Sequence, residues 1–286
     1  MTALAGVRIE LWVEERDGAP AVNPIMRLLL EDLAAAGAVV AVRVPERELL
    51  NPAGRRQADL VLLKTATTLG LSLALAEERR GVRFLNDAAA SLRVHDKAAT
   101  LACLAAVGAA VPPTYLVEGT ADLRAAPSAG GAWVTKPTRG VHGRGVEVHD
   151  RFPSAAVAPT RLAADTMYVV DDGTRLVQQR VGGADEDDLK IYVAGEHYFA
   201  GTKRFHAASF ATDQVAPAAL DPNLMRLVRA AGDALGLRCW GLDVRFEHGQ
   251  PLVIDANPFP GYRGFPAAVP ALRAEIERAL ANGVGQ

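Results

Sequence analysis

The chain has 286 residues, 50% of them hydrophobic, and carries 31 Lys and Arg against 33 Asp and Glu. That is enough chain for one large or two to three small domains around a substantial core. A formal net charge of −2 argues against broad electrostatic attachment to nucleic acid or membrane, and no apolar run reaches membrane-spanning length. The two cysteines, Cys103 and Cys239, lie in apolar surroundings without CxxC spacing, which reads as reduced core thiols. Residues Met1 to Gly6 lack the basic and apolar regions of a signal peptide, so a cytoplasmic location is expected.

The first ninety residues alternate strand and helix. Val7 to Val13, Val39 to Val44, Ala58 to Lys64 and Arg83 to Asn86 read as strands. Between them, Pro24 to Ala36 reads as a helix with Asn23 as N-cap, Pro24 at its first position and Gly37 as its stop. Leu69 to Arg80 is a second helix, ending at Gly81. This alternation predicts a small parallel α/β domain over residues 1–90. No Gly-x-Gly-x-x-Gly follows the first strand, so a dinucleotide fingerprint is missing.

The stretch from Asn86 to Lys97 leads into a helix over Ala98 to Val107. Asp96 is its natural N-cap, which puts Lys97 at the first turn, where a cation opposes the helix dipole. Taken alone, Lys97 reads as a solvated lysine; a lysine reaching to a phosphate is the other reading. Val111 to Thr114 is a stiff extended connector, and Trp133 to Pro137 is a strand that carries Lys136. A glycine-rich loop, Thr138 to Gly145, joins it to a strand at Val146 to Val148. Glycines let such a loop bring its amides close to phosphates, although flexible hairpin tips look the same. Pro153 to Thr166 is poorly patterned.

Arg175 to Val181 is a strand, and Asp188 to Ala194 with His197 to Arg204 forms a hairpin bearing Lys190, Lys203 and Arg204. Pro222 to Leu235 is an amphipathic helix stopped at Gly236. Cys239 to Glu247 and Pro251 to Pro258 form a last hairpin around His248-Gly249-Gln250. Alternation puts Asp255 and Asn257 on one side of the second strand, and folding the hairpin brings Asp243 beside them. Two carboxylates and an amide on one face call for a hard cation such as Mg²⁺. Leu242, Val244, Val253 and Ile254 make both faces of this hairpin look buried. Ala267 to Ala281 is a terminal helix expected to pack on the sheet.

The order of these features resembles the ATP-grasp superfamily over residues 86–265. It carries Asn86-Asp87 and Asp96-Lys97, then Lys136-Pro137 with Gly140, Gly143, Arg144, Gly145 and Val146. Val177 to Val181, Asp188 to Gly195 and Lys203-Arg204 follow. The pattern is similar to RimK-type carboxylate–amine ligases. It departs from them at Asp255, where these ligases usually have Glu. The tail from Ile254 to Tyr262 looks like that of the ATP-grasp inositol-phosphate kinases, which generally lack such a glycine loop.

The resemblance implies an α/β (α+β ATP-grasp) fold: an N-terminal parallel α/β domain followed by two antiparallel-sheet ATP-grasp lobes. Their bounds would be residues 1–90, a central lobe over 91–175 and a C-terminal lobe over 176–286. It implies ATP and Mg²⁺ or Mn²⁺ as cofactors. Lys97 and Lys136 would bind the α- and β-phosphates, with Gly140, Gly143, Arg144 and Gly145 in a lid. Gln179, Arg180 and Val181 would hold adenine through backbone groups, and Asp188 would lie near the ribose. Asp243, Asp255 and Asn257 would bind the metal. Lys190 and Arg204 would face the γ-phosphate and the acceptor carboxylate, and Gly261 would offer a backbone N–H there, with Arg263 a further cation. The implied reaction joins a small-molecule carboxylate to an amine or amino acid through an acyl phosphate. Kinase action on a polyanionic hydroxyl compound and nucleotide binding without turnover are the other readings. A homodimer is compatible with the pattern; nucleic acid and membrane are not expected partners.

Overall fold

A computed structural model describes residues 4–48, 57–118, 130–139, 145–153, 173–183, 186–204 and 215–282. The predicted loop residues Gly140, Gly143 and Arg144, and the poorly patterned stretch after Phe152-Pro153, lie largely or wholly outside them.

The N-terminal sheet has the order β4-β1-β5-β6 and is parallel throughout. Its strands are β1 (Arg8–Val13), β4 (Val39–Arg43), β5 (Leu60–Lys64) and β6 (Phe84–Leu85), and a small ribbon of β2 (Glu15–Arg16) and β3 (Ala19–Pro20) follows β1. Four consecutive buried residues, Leu60 to Leu63, show that β5 is covered on both faces. Helix α1 (Pro24–Ala35) starts where the sequence places it: the Asn23 side chain accepts the Met26 N–H at 3.1 Å. It covers one face together with α6 (Ala268–Ala281), and α2 (Thr68–Glu78) covers the other.

The central sheet is antiparallel, in the order β7-β10-β8-β9: Thr114–Glu118, Thr174–Gln179, Trp133–Pro137 and Glu147–His149. The last sheet, also antiparallel, runs β13-β12-β11-β14-β15. These are Ala216–Pro217, His197–Arg204, Asp187–Ala194, Cys239–Glu247 and Gln250–Pro258. The turn between β14 and β15 is only His248-Gly249, both at positive φ, the geometry of a tight two-residue hairpin; Gln250 already belongs to the strand.

Strands β11, β14 and β15 turn apolar residues to one side of this sheet and carry charged ones on the other. Trp240, Leu242 and Val244 of β14 join Ile191 and Val193 of β11 in a core under α5 (Pro222–Leu235). Gly241, Asp243 and Arg245 alternate to the other side. In β15 simple alternation would put Val253 and Asp255 on one face. A β-bulge prevents this: Asp243 pairs with Asp255 but Val244 pairs with Val253, leaving Ile254 as the extra residue. Val253 therefore stays in the core while Asp255 and Asn257 join Asp243. This resolves the hairpin that looked buried on both faces.

Several elements were not legible in the sequence, the β2–β3 ribbon and β13 among them. The stretch leading into the predicted helix is itself a helix, α3 (Ala88–His95), which meets α4 (Lys97–Ala106) at Asp96. The Pro-Pro connector runs into strand β7. Cys103 is part-buried rather than fully in the core, whereas Cys239 is buried.

Asn86, just before α3, fixes the start of β14. Its amide Nδ2 donates to the Cys239 carbonyl at 2.6 Å, and its Oδ1 accepts the N–H groups of Arg238 and Cys239, each at 2.8 Å. The side chain is 2% exposed. Removing it takes away the acceptor of the Arg238 and Cys239 N–H groups, while the Cys239 carbonyl keeps the Phe259 N–H at 2.9 Å. Asn86→Ala should therefore lower unfolding free energy by about 2–4 kcal/mol in urea titration, and a loss under about 0.5 kcal/mol would contradict this role.

Candidate active site

The polar face of the last sheet carries a row of charge. Lys190 is the register partner of Asp243, and Asp243 is the register partner of Asp255, so the three lie side by side across β11, β14 and β15. Lys190 Nζ is 2.8 Å from Asp243 Oδ2 and 3.9 Å from Asp188 Oδ2. Asn257 lies one row along, opposite Gly241. Burial raises the Asp243 carboxyl, with Asp255 adding to it and Lys190 opposing. Burial works against the Lys190 ammonium as well, but the Asp243 carboxylate outweighs it and the pKa is raised.

Two further lysines reach this row from other elements. Asp96 caps α4, accepting the Ala99 N–H at 3.0 Å, and this sets Lys97 at the first helical position. Lys97 is not solvated. Its Nζ donates to both oxygens of Asp255, at 2.7 and 2.9 Å, and its backbone N–H donates to Thr138 O at 2.9 Å. Asp255 is part-buried, and desolvation works against its charge, yet Lys97 and Lys136 hold the carboxyl below its ordinary value. Lys136, on β8, is 9% exposed. Its Nζ donates to Gln178 Oε1 at 2.9 Å and to Ile254 O at 3.0 Å. Ile254 is the bulged residue, so the irregularity that turns Asp255 toward the cleft also presents a carbonyl to Lys136. Burial pulls the Lys136 ammonium down to about 8, against the attraction of Asp255.

The segment after β10 has fewer free backbone groups than its sequence promised. Gln179 N–H donates to Pro113 O at 2.8 Å and Arg180 N–H to Ala132 O at 2.9 Å. Val181 O accepts Arg245 Nη1 at 2.9 Å. Among the described residues the Arg180 carbonyl and the Val181 N–H remain, an acceptor beside a donor. Asp188 is 3% exposed and bound by Arg245 Nε at 2.5 Å. Through Oδ1 it holds Arg245 against the strand connection. Arg245 carried no signal in the sequence beyond its place two residues after Asp243.

The tail after Asn257 is pinned by two aromatics. Phe259 and Tyr262 are 1% and 0% exposed, and the Tyr262 hydroxyl donates to Val193 O at 2.6 Å. Both sit at positive φ, which bulky residues adopt only when packing holds them there. Gly261, between them, faces α1: a Cβ there would lie 2.8 Å from Asn23 Nδ2. Gly145 takes φ 69°, suited to glycine. β12 sets Arg204 opposite Asp187 in register.

The donor set suits a hard cation. Among the described residues no three His, Cys, Asp or Glu side chains gather as a metal group. What the hairpin supplies is two adjacent carboxylates and one amide, all oxygen donors, which leaves the remaining positions of a Mg²⁺ shell to phosphate and water.

No family model matches the chain. Curated relatives do. A probable alpha-L-glutamate ligase 2 of Hahella chejuensis is 29% identical over 217 residues, 71% of this chain and 68% of the relative. A probable alpha-L-glutamate ligase of Legionella pneumophila is 28% identical over 211 residues, with 71% and 68% covered. Among solved structures, a RimK domain ATP-grasp protein of Sphaerobacter thermophilus aligns with TM-score 0.69 and 22% identity, over 96% of this chain and 100% of that one. The D-cycloserine synthetase DcsG gives 0.73 and 20%, over 96% and 99%. D-alanine–D-alanine ligase of Bacillus anthracis, complexed with ATP, gives 0.71 and 14%, with 97% of each chain covered. The solved structures establish the fold, and the curated relatives bear the names of ligases, not of kinases. No helix among the described residues is long and apolar enough to cross a membrane. In fold the chain is thus similar to ATP-grasp ligases, and in sequence to probable alpha-L-glutamate ligases.

Proposed function

We propose that the chain joins a carboxylate to an amine or amino acid at the expense of ATP, through an acyl phosphate. The observation that carries this reading is the placing of Lys97 on Asp255, Lys190 on Asp243 and Lys136 on the adjoining Ile254 carbonyl, from three separate elements. Such a site has little to offer as a proton donor or nucleophile. It is built to hold and neutralise a polyphosphate beside a hard cation, which is what phosphoryl transfer to a weak nucleophile requires.

Adenine would lie against the segment Gln179 to Val181, with the Arg180 carbonyl accepting from its exocyclic amine and the Val181 N–H donating to a ring nitrogen. Lys136 would meet the phosphates from the central sheet and Lys97 from the start of α4. Asp243, Asp255 and Asn257 would hold Mg²⁺, which, when bound, screens phosphate charge and activates the γ-phosphorus. Lys190 would face the γ-phosphate. A substrate carboxylate oxygen attacks that phosphorus and ADP leaves. The amine nitrogen then attacks the acyl carbon, phosphate leaves and the amine gives up a proton. Gly140, Gly143, Arg144 and Gly145 would cover the reacting groups from water, with Arg204 and Gly261 near the acceptor.

The Lys97–Asp255 pair gives this reading a particular sign. Without nucleotide, Lys97 neutralises a carboxylate that the metal needs. Phosphates offer Lys97 another anion, so nucleotide and metal binding would release the pair together. Asp255→Asn keeps the shape but leaves Lys97 without its charge partner and the metal without a carboxylate. Phosphate release should fall at least about a hundredfold with the fold retained by circular dichroism, and near-wild-type turnover would contradict the assignment.

Lys136 gives a pH test. Its folded pKa is lowered to about 8, so the ammonium needed for phosphate is lost as pH rises through that value. ATP affinity measured by calorimetry should weaken between about pH 7 and about pH 9 in the wild type and be weak and flat in Lys136→Met. A pH-independent wild type would remove Lys136 from the phosphate site.

A further inference from the structure

Lys136 sits at the end of a hydrogen-bond chain that crosses the central sheet. Gln178 is the register partner of Thr114 across β10 and β7. Leu176, two residues before Gln178, is the register partner of Lys136 across β10 and β8. Alternation therefore puts Thr114, Gln178 and Lys136 on one face, with Gln178 on the strand between the other two. The diagonal from Gln178 to Lys136 is within reach of two long side chains. Gln178 is 4% exposed, so both ends of its amide need partners.

The polarity of the chain is fixed from its far end. The Pro112 carbonyl can only accept, and the Thr114 hydroxyl donates to it at 2.7 Å. That spends the one hydroxyl proton, so toward Gln178 the Thr114 oxygen can only accept. Gln178 Nε2 donates to it at 2.9 Å. The amide is thereby set with Oε1 on the other side, where it accepts from Lys136 Nζ at 2.9 Å. Turned over, the amide would set a donor against the ammonium and an acceptor against an oxygen whose proton is spent.

The near end of the chain sets a direction. An ammonium has three N–H groups. In Lys136 one goes to Gln178 Oε1 and one to the carbonyl of the bulged Ile254 at 3.0 Å. With the Cε bond and two N–H directions taken, tetrahedral geometry determines the third. One N–H is left for a ligand, and the protein decides where it points. No member of the chain other than Lys136 carries charge, so its contribution is orientation and not neutralisation.

We infer that Thr114 and Gln178 are positioning residues: the chain from the Pro112 carbonyl through both side chains fixes how Lys136 presents its remaining N–H to a nucleotide phosphate. The inference rests on the reading of Lys136 as a phosphate ligand and adds the two residues that aim it.

The test is calorimetry of Mg-ATP binding to the full chain. Thr114→Val keeps the shape and removes the hydroxyl, which frees the amide to turn. Kd should rise about fivefold, while Thr114→Ser, which keeps the hydroxyl, should bind within about twofold of the wild type. Gln178→Met leaves the ammonium one acceptor short and should raise Kd at least as much. Because the links act in series, Thr114→Val should add less than about twofold in a Gln178→Met or Lys136→Met background. A Thr114 that serves packing alone would leave ATP affinity unchanged on substitution, or shift it equally in every background, and either result would overturn the inference. Thr114→Ser binding as weakly as Thr114→Val would do the same. Gln178→Met keeps the test decisive should Thr114→Val not fold: unchanged affinity in that variant, beside a weakened Lys136→Met, would overturn the inference and leave the phosphate reading standing. Lys136→Met binding Mg-ATP as tightly as the wild type would overturn both.

Discussion

Two carboxylates set directly opposite each other on neighbouring strands repel, and the polar face of the last sheet exists around that fact. Asp243 and Asp255 are such a pair. Each is held by a lysine from a different element, Lys190 from the adjoining strand and Lys97 from the start of a helix in the preceding segment. A third, Lys136, spans from the central sheet to the backbone of the bulge. The cleft between the central and last sheets is thus bridged by the Lys136 ammonium. Its cations hold the apo site together in the same places where a polyphosphate would need them.

The surrounding packing keeps that face in register. The bulge at Ile254 puts Asp255 in the cleft while Val253 stays in the core. Asn86 ties the start of β14, and Phe259 and Tyr262 tie the end of β15, so both ends of the hairpin are fixed to buried anchors. Arg245 joins the Val181 and Gly183 carbonyls to Asp188, which sets the connection between the two antiparallel sheets relative to the strands below it. Positioning of this kind is what a reaction without a dedicated acid or base depends on.

Much of this was legible in the sequence where a residue type has a local rule. Asp96 before a helical run predicts an N-cap and so fixes Lys97; Asn23-Pro24 does the same for α1. Alternation identified Asp243, Asp255 and Asn257 as one face. What escaped needed partners distant in the chain. A bulge leaves no mark on composition, so Val253-Ile254 reads as a strand buried on both faces. Asp188 looks free until Arg245 arrives beside it from 57 residues away. Asn86 reads as the end of a short strand, with no sign of its contact to Cys239. Helix α3 escaped because Asp87 and Asp96 bound a segment of only eight residues, shorter than periodicity resolves.

The account turns on whether the acidic pair and its lysines exchange partners when nucleotide binds. A crystal structure with Mg²⁺ and a non-hydrolysable ATP analogue tests this most directly. The predicted result has Lys97 on phosphate oxygens and the metal held by Asp243, Asp255 and Asn257, with adenine between the Arg180 carbonyl and the Val181 N–H. A bound nucleotide elsewhere, with the Lys97–Asp255 pair intact, would contradict it.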